Sequence, residues 1–202
     1  MIVPLQREHA TRAAELHCAA LAGDFLPSLG QGFLTVFYEA VLDLGLGLGF
    51  VAIEQGRPVG FVLGSADTSA LFKRAIASRA MAFAWRAIPA VLRRPTLIAN
   101  VIETFLYPGK EGAVPEKAEL VVIGFEAAYR GRGLGRQLVM ALNDAFRAQG
   151  ITSYKVTVLQ SNQGANNFYR ALGFQPALEF ELYKKKWNLH VLSLAQYPTP
   201  NT

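Results

Sequence analysis

Cysteine is almost missing from this chain. Cys18 is the single one in 202 residues, which excludes an intrachain disulfide and a cysteine metal quartet. A reducing compartment suits such a chain, and a cytoplasmic location is expected. Histidine is sparse as well: His9, His17 and His190 are scattered with no ligand spacing, so no metal is predicted. Long apolar runs are also absent. The greasiest stretch, residues 41–53, is broken by Asp43 and three glycines, and the N-terminal residues meet charge before any apolar signal core forms. Neither a membrane span nor a leader is expected. What is present is ample material for a core, with 51% hydrophobic and 11% aromatic residues against 17% charged, which excludes a disordered or fibrous chain. The length suits one domain.

Acidic residues are absent from one segment. Residues 68–102 contain six cations (Lys73, Arg74, Arg79, Arg86, Arg93 and Arg94) and no Asp or Glu, so the net charge of +5 resides there. A nucleic-acid binder would interleave such cations with aromatics on strands or carry a recognition helix; neither is evident, and no nucleic acid is expected.

Periodicity predicts strands over 2–5, 50–54, 59–65, 118–125, 153–159 and 180–186, with helices over 9–21, 30–44, 134–149 and 164–171. Gly56 marks a hairpin turn. A helical stretch over 68–95 is expected to kink or split at Pro89. Residues 101–106 suit a strand or a helix, 108–115 a loop, and Pro198 and Pro200 a frayed tail. A mixed α/β sheet flanked by helices follows.

One segment carries chemistry. A buried strand opening at Glu119 runs into Arg130-Gly131-Arg132-Gly133-Leu134-Gly135-Arg136, and a helix begins at once. Glycines let backbone approach a ligand closely. The unpartnered N–H groups and dipole of the new helix favour phosphate, and the arginines add charge. A P-loop would end in Gly-Lys-Ser/Thr, and this loop ends Gly135-Arg136-Gln137. A dinucleotide fingerprint needs a third glycine where Arg136 stands and an acidic residue about 20 positions on; no Asp or Glu occurs between Asp144 and Glu179.

The remaining pattern, Arg-x-x-Gly-x-Gly after a strand, resembles the GNAT superfamily of acyl-CoA-dependent N-acyltransferases. A second similarity lies downstream in Asn162, Ala165, Phe168, Tyr169, Gly173 and Phe174, which match Asn-x-x-Ala-x-x-Phe-Tyr-x-x-x-Gly-Phe. The resemblance covers residues 119–174. It implies an α/β (α+β) fold with a mixed, mostly antiparallel central sheet flanked by helices. It also implies a splayed gap between the strand ending at Phe125 and the strand 153–159, where pantetheine would pair with backbone of Ile123 and Phe125. Coenzyme contacts are implied for Ile123, Phe125, Arg130, Gly131, Arg132, Gly133, Leu134, Gly135, Arg136, Asn162, Asn166 and Tyr169. Capping is an alternative role for Asn162. The implied activity is direct N-acetylation by acetyl-CoA of a primary amine on a small molecule, amino sugar or peptide; the rival is a non-catalytic coenzyme A sensor or assembly module.

Tyr169 occupies the position of a family tyrosine near the coenzyme sulfur and is the expected general acid. Glu119 is the expected base; alternation puts it on the face of Val121, Ile123 and Phe125. Glu103 or a water is the alternative base, Glu126 is expected to stay solvated, and Cys18 reads as core. The domain is expected to run over 1–186 with a basic helical insert at about 68–117 and a tail over 187–202; a homodimer is compatible with the sequence. In the insert, Met81, Trp85, Ile88 and Leu92 form one apolar stripe, and Arg79, Arg86 and Arg93 recur on another face. The preferred reading packs the stripe over the sheet and leaves the arginines in water. Two sharper readings stay open: a wall favouring an anionic acceptor such as an amino sugar nucleotide, and peripheral contact with an anionic membrane, against which Pro89 counts.

Overall fold

The computed structural model describes residues 1–97 and 114–196. Expectations for Glu103, for residues 101–106 and for the prolines near the C-terminus lie outside them. Seven strands form one mixed sheet in the order β1-β2-β3-β4-β5-β7-β6: β1 Ile2–Pro4, β2 Leu48–Glu54, β3 Arg57–Ser65, β4 Glu119–Phe125, β5 Ser153–Leu159, β6 Gln175–Leu182 and β7 Lys185–Ser193. Every neighbouring pair is antiparallel except β4 and β5. The helices are α1 Ala10–Ala20, α2 Phe25–Ser28, α3 Gln31–Asp43, α4 Thr68–Ser78, α5 Ala80–Arg93, α6 Leu134–Ala148 and α7 Gln163–Ala171.

The sheet separates two cores because its side chains alternate between faces. Phe61 and Leu63 join α1, α3 and α4 on one face, whereas Val62 joins α6 and β5 on the other. On α6, Leu134, Leu138, Leu142 and Phe146 follow helical spacing and are buried. Gly64 lets that helix approach: a Cβ there would lie 2.7 Å from Phe146 Cζ and 2.8 Å from Leu142 Cδ1.

The pairing of β4 with β5 is brief. Both strands have seven residues, yet their register holds only Glu119↔Lys155 and Leu120↔Val156. Beyond Leu120, β4 stays with β3 to Phe125, and β5 stays with β7 from Ser153 to Leu159. Two blades, β1–β4 and β5–β7–β6, thus part at the middle of the sheet, leaving one edge of β4 beyond Leu120 without a strand partner among the described residues.

A bulge corrects the expected orientation of Glu119. Leu63 pairs with Val122, but Gly64 pairs with Leu120, so Val121 is the extra residue. The insertion flips everything before it. Leu120 joins the α6 face with Ile123 and Phe125, whereas Glu119 turns to the α1 face with Val122, opposite Ile123 and Phe125, two of the three residues it was expected to accompany.

Three further expectations change. The strand expected over 180–186 is the end of β6, a two-residue turn at Tyr183 (φ 52) and Lys184 (φ 58), and the start of β7. Residues 187–193 therefore belong to the sheet, not to a tail, because β7 is the strand that pairs with all of β5. Second, α5 runs unbroken through Pro89, and the break falls at Arg79 instead. Among the described residues no single helix is long and apolar enough to cross a membrane; α4 and α5 together have the length and composition but bend by 92°. Third, the Met81–Leu92 stripe does not pack on the sheet. The inward side of α5 carries Phe83, Ala87 and Ala90.

Gly64→Ala should lower stability by about 1–3 kcal/mol through overpacking against Phe146 and Leu142, both fully buried. A urea titration checks this; an unchanged midpoint would show that α6 adapts to the added methyl.

Candidate active site

The gap between β4 and β5 opens into a cleft of about 1120 Å³ that runs from the glycine turn before α6 to the space beneath α1 and α2. At the first end, Gly131 (φ 76) and Gly133 (φ 79) hold left-handed backbone with no atom within 4 Å of where a Cβ would stand. Gly133 is the N-cap of α6, so the helix's free N–H groups face this turn. Gly135 serves packing instead: a Cβ would sit 3.2 Å from the Phe168 ring, so its absence lets α7 lie against α6. Arg130 and Arg136 line the cleft and are exposed, placing two cations beside a helix N-terminus.

The cleft collects most of the residues singled out from the sequence. Glu119, Ile123, Phe125, Arg130, Gly131, Gly133, Gly135, Arg136, Asn162 and Tyr169 all line it. Arg132, Leu134 and Asn166 do not. Arg132 lies over the Tyr129 ring, 5.0 Å from its centroid. Leu134 turns its side chain into the core. Asn166 is spent on structure: its Nδ2 donates to the carbonyls of Leu159 (2.9 Å) and Asn162 (2.8 Å), and its Oδ1 accepts from Asn188 Nδ2 (2.8 Å) and faces His190 Nε2 at 3.0 Å. It ties α7 to β5 and β7, leaving its amide without capacity for a coenzyme. Asn162 caps α7 by accepting from the Ala165 N–H at 3.1 Å.

Tyr169 and Glu119 meet the cleft from opposite faces of the sheet. Tyr169 is only 4% exposed, wedged between Phe168 and Phe174. Burial pushes its hydroxyl well above the usual phenol range, so it stays protonated at neutral pH. Glu119 is 6% exposed and accepts from Thr157 Oγ1 at 3.3 Å. Thr157 is on β5, so this contact spans the two blades just where they begin to part. Glu126 is not in the cleft; it binds Arg57 and Arg12, and those guanidiniums hold its carboxyl below the usual range.

The far end of the cleft contains groups the sequence did not flag. His17 from α1 lines it, together with Phe25, Phe72, Leu97, Tyr183 and Trp187. His17 Nδ1 is 2.7 Å from the Tyr38 hydroxyl, and burial pushes the imidazole down to about 4. Its spacing from every other polar site residue left no local pattern to find. The mouth is bridged where Phe25 meets Tyr183, ring centroids 5.2 Å apart, and where Lys185 reaches Asp24 at 3.4 Å. Arg79, Arg86 and Arg93 are absent from the lining, so the wall expected for an anionic acceptor is not built from them. Arg79 instead binds Glu39 (2.6 Å) and Asp43 on α3, and Arg86 lies against Gly32. Cys18 is half-buried, its thiol pushed up by burial, which suits packing rather than nucleophilic attack.

A splayed parallel pair at mid-sheet and a glycine turn feeding a helix beside the gap are the two features that the motif resemblance implied. The chain matches the acetyltransferase (GNAT) family over residues 18–174 and belongs to it. It is 39% identical over 71 residues to the mycothiol acetyltransferase of Corynebacterium glutamicum (strain R), a stretch covering 35% of this chain and 24% of that protein. The match therefore spans about a quarter of that relative's length. Two solved structures share the fold at a TM-score of 0.62 and 16% identity. The ribosomal-protein-S18-alanine N-acetyltransferase from Escherichia coli is covered over 100% of this chain and 98% of its own. A putative acetyltransferase from Salmonella typhimurium, solved with its cofactor acetyl-CoA, is covered over 100% and 97%.

The buried His17 predicts an acid-labile core. Unfolded histidine titrates near 6.5, so between that pH and about 4 the unfolded chain binds a proton that the native state refuses. Stability from this group is present above the unfolded value and is lost as pH falls through the window. His17→Gln should shrink the loss in unfolding free energy between pH 7 and 4 by about 3 kcal/mol. Denaturant titrations at both pH values check it; equal losses in the two proteins would contradict it.

Proposed function

We propose that the protein moves the acetyl group of acetyl-CoA directly to a primary amine of a small molecule, amino sugar or peptide, with Glu119 as base and Tyr169 as acid. The carrying observation is that these two groups line one cleft from opposite faces of the sheet at the β4–β5 gap. The coenzyme fits what is there. The glycine turn leaves room where Cβ atoms would stand, the start of α6 offers free N–H groups, and Arg130 and Arg136 supply charge for pyrophosphate. The open edge of β4 at Ile123 and Phe125 offers backbone groups to the pantetheine amides.

When bound, acetyl-CoA supplies an acetyl thioester, an acyl group already activated toward an amine. The chain's own residues do the rest. Glu119, on the acceptor side, takes the proton that the amine gives up as its nitrogen bonds to the acyl carbon. Tyr169, on the coenzyme side, offers its hydroxyl proton to the departing sulfur. Its raised pKa makes it a reserve of that proton at all ordinary pH values and a hydrogen-bond donor to the developing thiolate. No covalent enzyme intermediate is needed. The acceptor end is walled by Phe25, Phe72, Leu97 and Tyr183, which supports an amine carried on an apolar or aromatic body.

Tyr169→Phe removes only the hydroxyl and should cut kcat by about 10²–10⁴-fold while the Kd for acetyl-CoA stays within about twofold. Glu119→Gln should abolish the acidic limb of the kcat/KM profile. An amine panel read by thiol release measures both. Coenzyme binding without turnover on any amine would favour a coenzyme A sensor or assembly module.

A further inference from the structure

Helix α5 is apolar on both sides, and only one side is covered. Its inner side places Phe83 against Phe33 of α3, ring centroids 4.9 Å apart, with Ala87 and Ala90 packed on the same core. On the opposite side Met81, Trp85, Ile88 and Leu92 stand 88%, 74%, 46% and 77% exposed. At 100° per residue these four fall within one narrow stripe. A helix that is apolar all round needs two covers.

The charges around the stripe say what the second cover is. Exposed Arg86 and Arg93 flank the stripe along one side of α5, and no acidic residue occurs between Asp67 and Glu103. A second copy meeting this face about a two-fold axis would bring these cations toward one another with no acidic residue of this segment to pair them. An anionic lipid surface supplies both missing partners, hydrocarbon for the stripe and headgroup charge for the arginines. The helix lies along such a surface rather than spanning it. Its 14 residues reach about 21 Å against a hydrocarbon core of about 30 Å, and its inner face is committed to α3. Pro89 does not interrupt the face, since α5 is continuous through it.

We infer that α5 docks on an anionic membrane surface, with Met81, Trp85, Ile88 and Leu92 in the interfacial layer and Arg86 and Arg93 on the headgroups. The chain leaves α5 directly into Arg94, Thr96 and Leu97, which line the acceptor end of the cleft. Docking brings that end next to the surface, where an amine presented by the membrane would meet it. The inference stands apart from the acetyl-transfer reading, and its readout does not use activity.

The test is co-sedimentation of the full chain with vesicles of phosphatidylcholine alone and of phosphatidylcholine mixed equally with phosphatidylglycerol. The native chain should pellet with the mixed vesicles, stay in solution with the neutral ones, and be released as salt is raised. A Trp85→Ser/Leu92→Ser variant should lose at least about tenfold in vesicle affinity while keeping its thermal midpoint, since neither side chain is packed. Failure to pellet with anionic vesicles overturns the inference, as does unchanged pelleting of the variant. A native dimer that the variant converts to monomer, with no vesicle binding, would assign the face to a second copy and overturn it as well.

Discussion

The two-residue pairing between β4 and β5 is the constraint from which the site follows. Had the register continued past Leu120↔Val156, the sheet would be closed and the cleft absent. Each strand is instead claimed by its other neighbour: β3 holds β4 to its end, and β7 holds all seven residues of β5. Both strands keep a long partner within their own blade, so the gap between the blades follows from the topology. The exposed edge of β4 that results is the kind of unpaired backbone an extended ligand can complete.

The bulge at Val121 turns that gap into a passage with two chemically different ends. Side chains after the bulge face α6 and α7, whereas Glu119 before it faces α1. The lining includes two arginines and a helix N-terminus at the glycine turn, with Tyr169 on one face of the sheet and a carboxylate on the opposite one. Two arginines and a helix N-terminus stand at the glycine turn, whereas the other end combines aromatic rings with Asp24, Arg94 and Lys185 and a neutral His17 held by Tyr38.

Much of this was legible in the residues, and the failures have identifiable causes. The turn from β4 into α6 could be read because glycines, a buried strand and helical spacing coincide within twenty residues. Asn162 could be read as a cap because Asn before a helix has one dominant local use. The face of Glu119 could not, since a one-residue bulge inside Leu120-Val121-Val122-Ile123 leaves no mark in a run that is apolar throughout. Asn166 lies within the matched segment, but its amide is consumed by partners 22 and 24 residues further on, in residues expected to form the tail. That misplacement traces to Tyr183 and Lys184, which adopt positive φ without being the residues that normally signal it. On α5, periodicity shows that an apolar stripe exists without saying which side the core takes. Phe83 and two alanines proved sufficient for the core, and the larger stripe was left outside.

The central claim is that the glycine turn and its arginines bind acetyl-CoA at the β4–β5 gap. Isothermal titration calorimetry of the native chain and of Arg130→Glu/Arg136→Glu tests it most directly, because both side chains are exposed and their reversal should leave the fold intact. The account predicts saturable one-to-one binding that weakens by more than about 100-fold in the variant, the loss expected from two charge-assisted hydrogen bonds at about 1.5 kcal/mol each. Equal affinities in the two proteins, or no binding heat in the native chain, would contradict it.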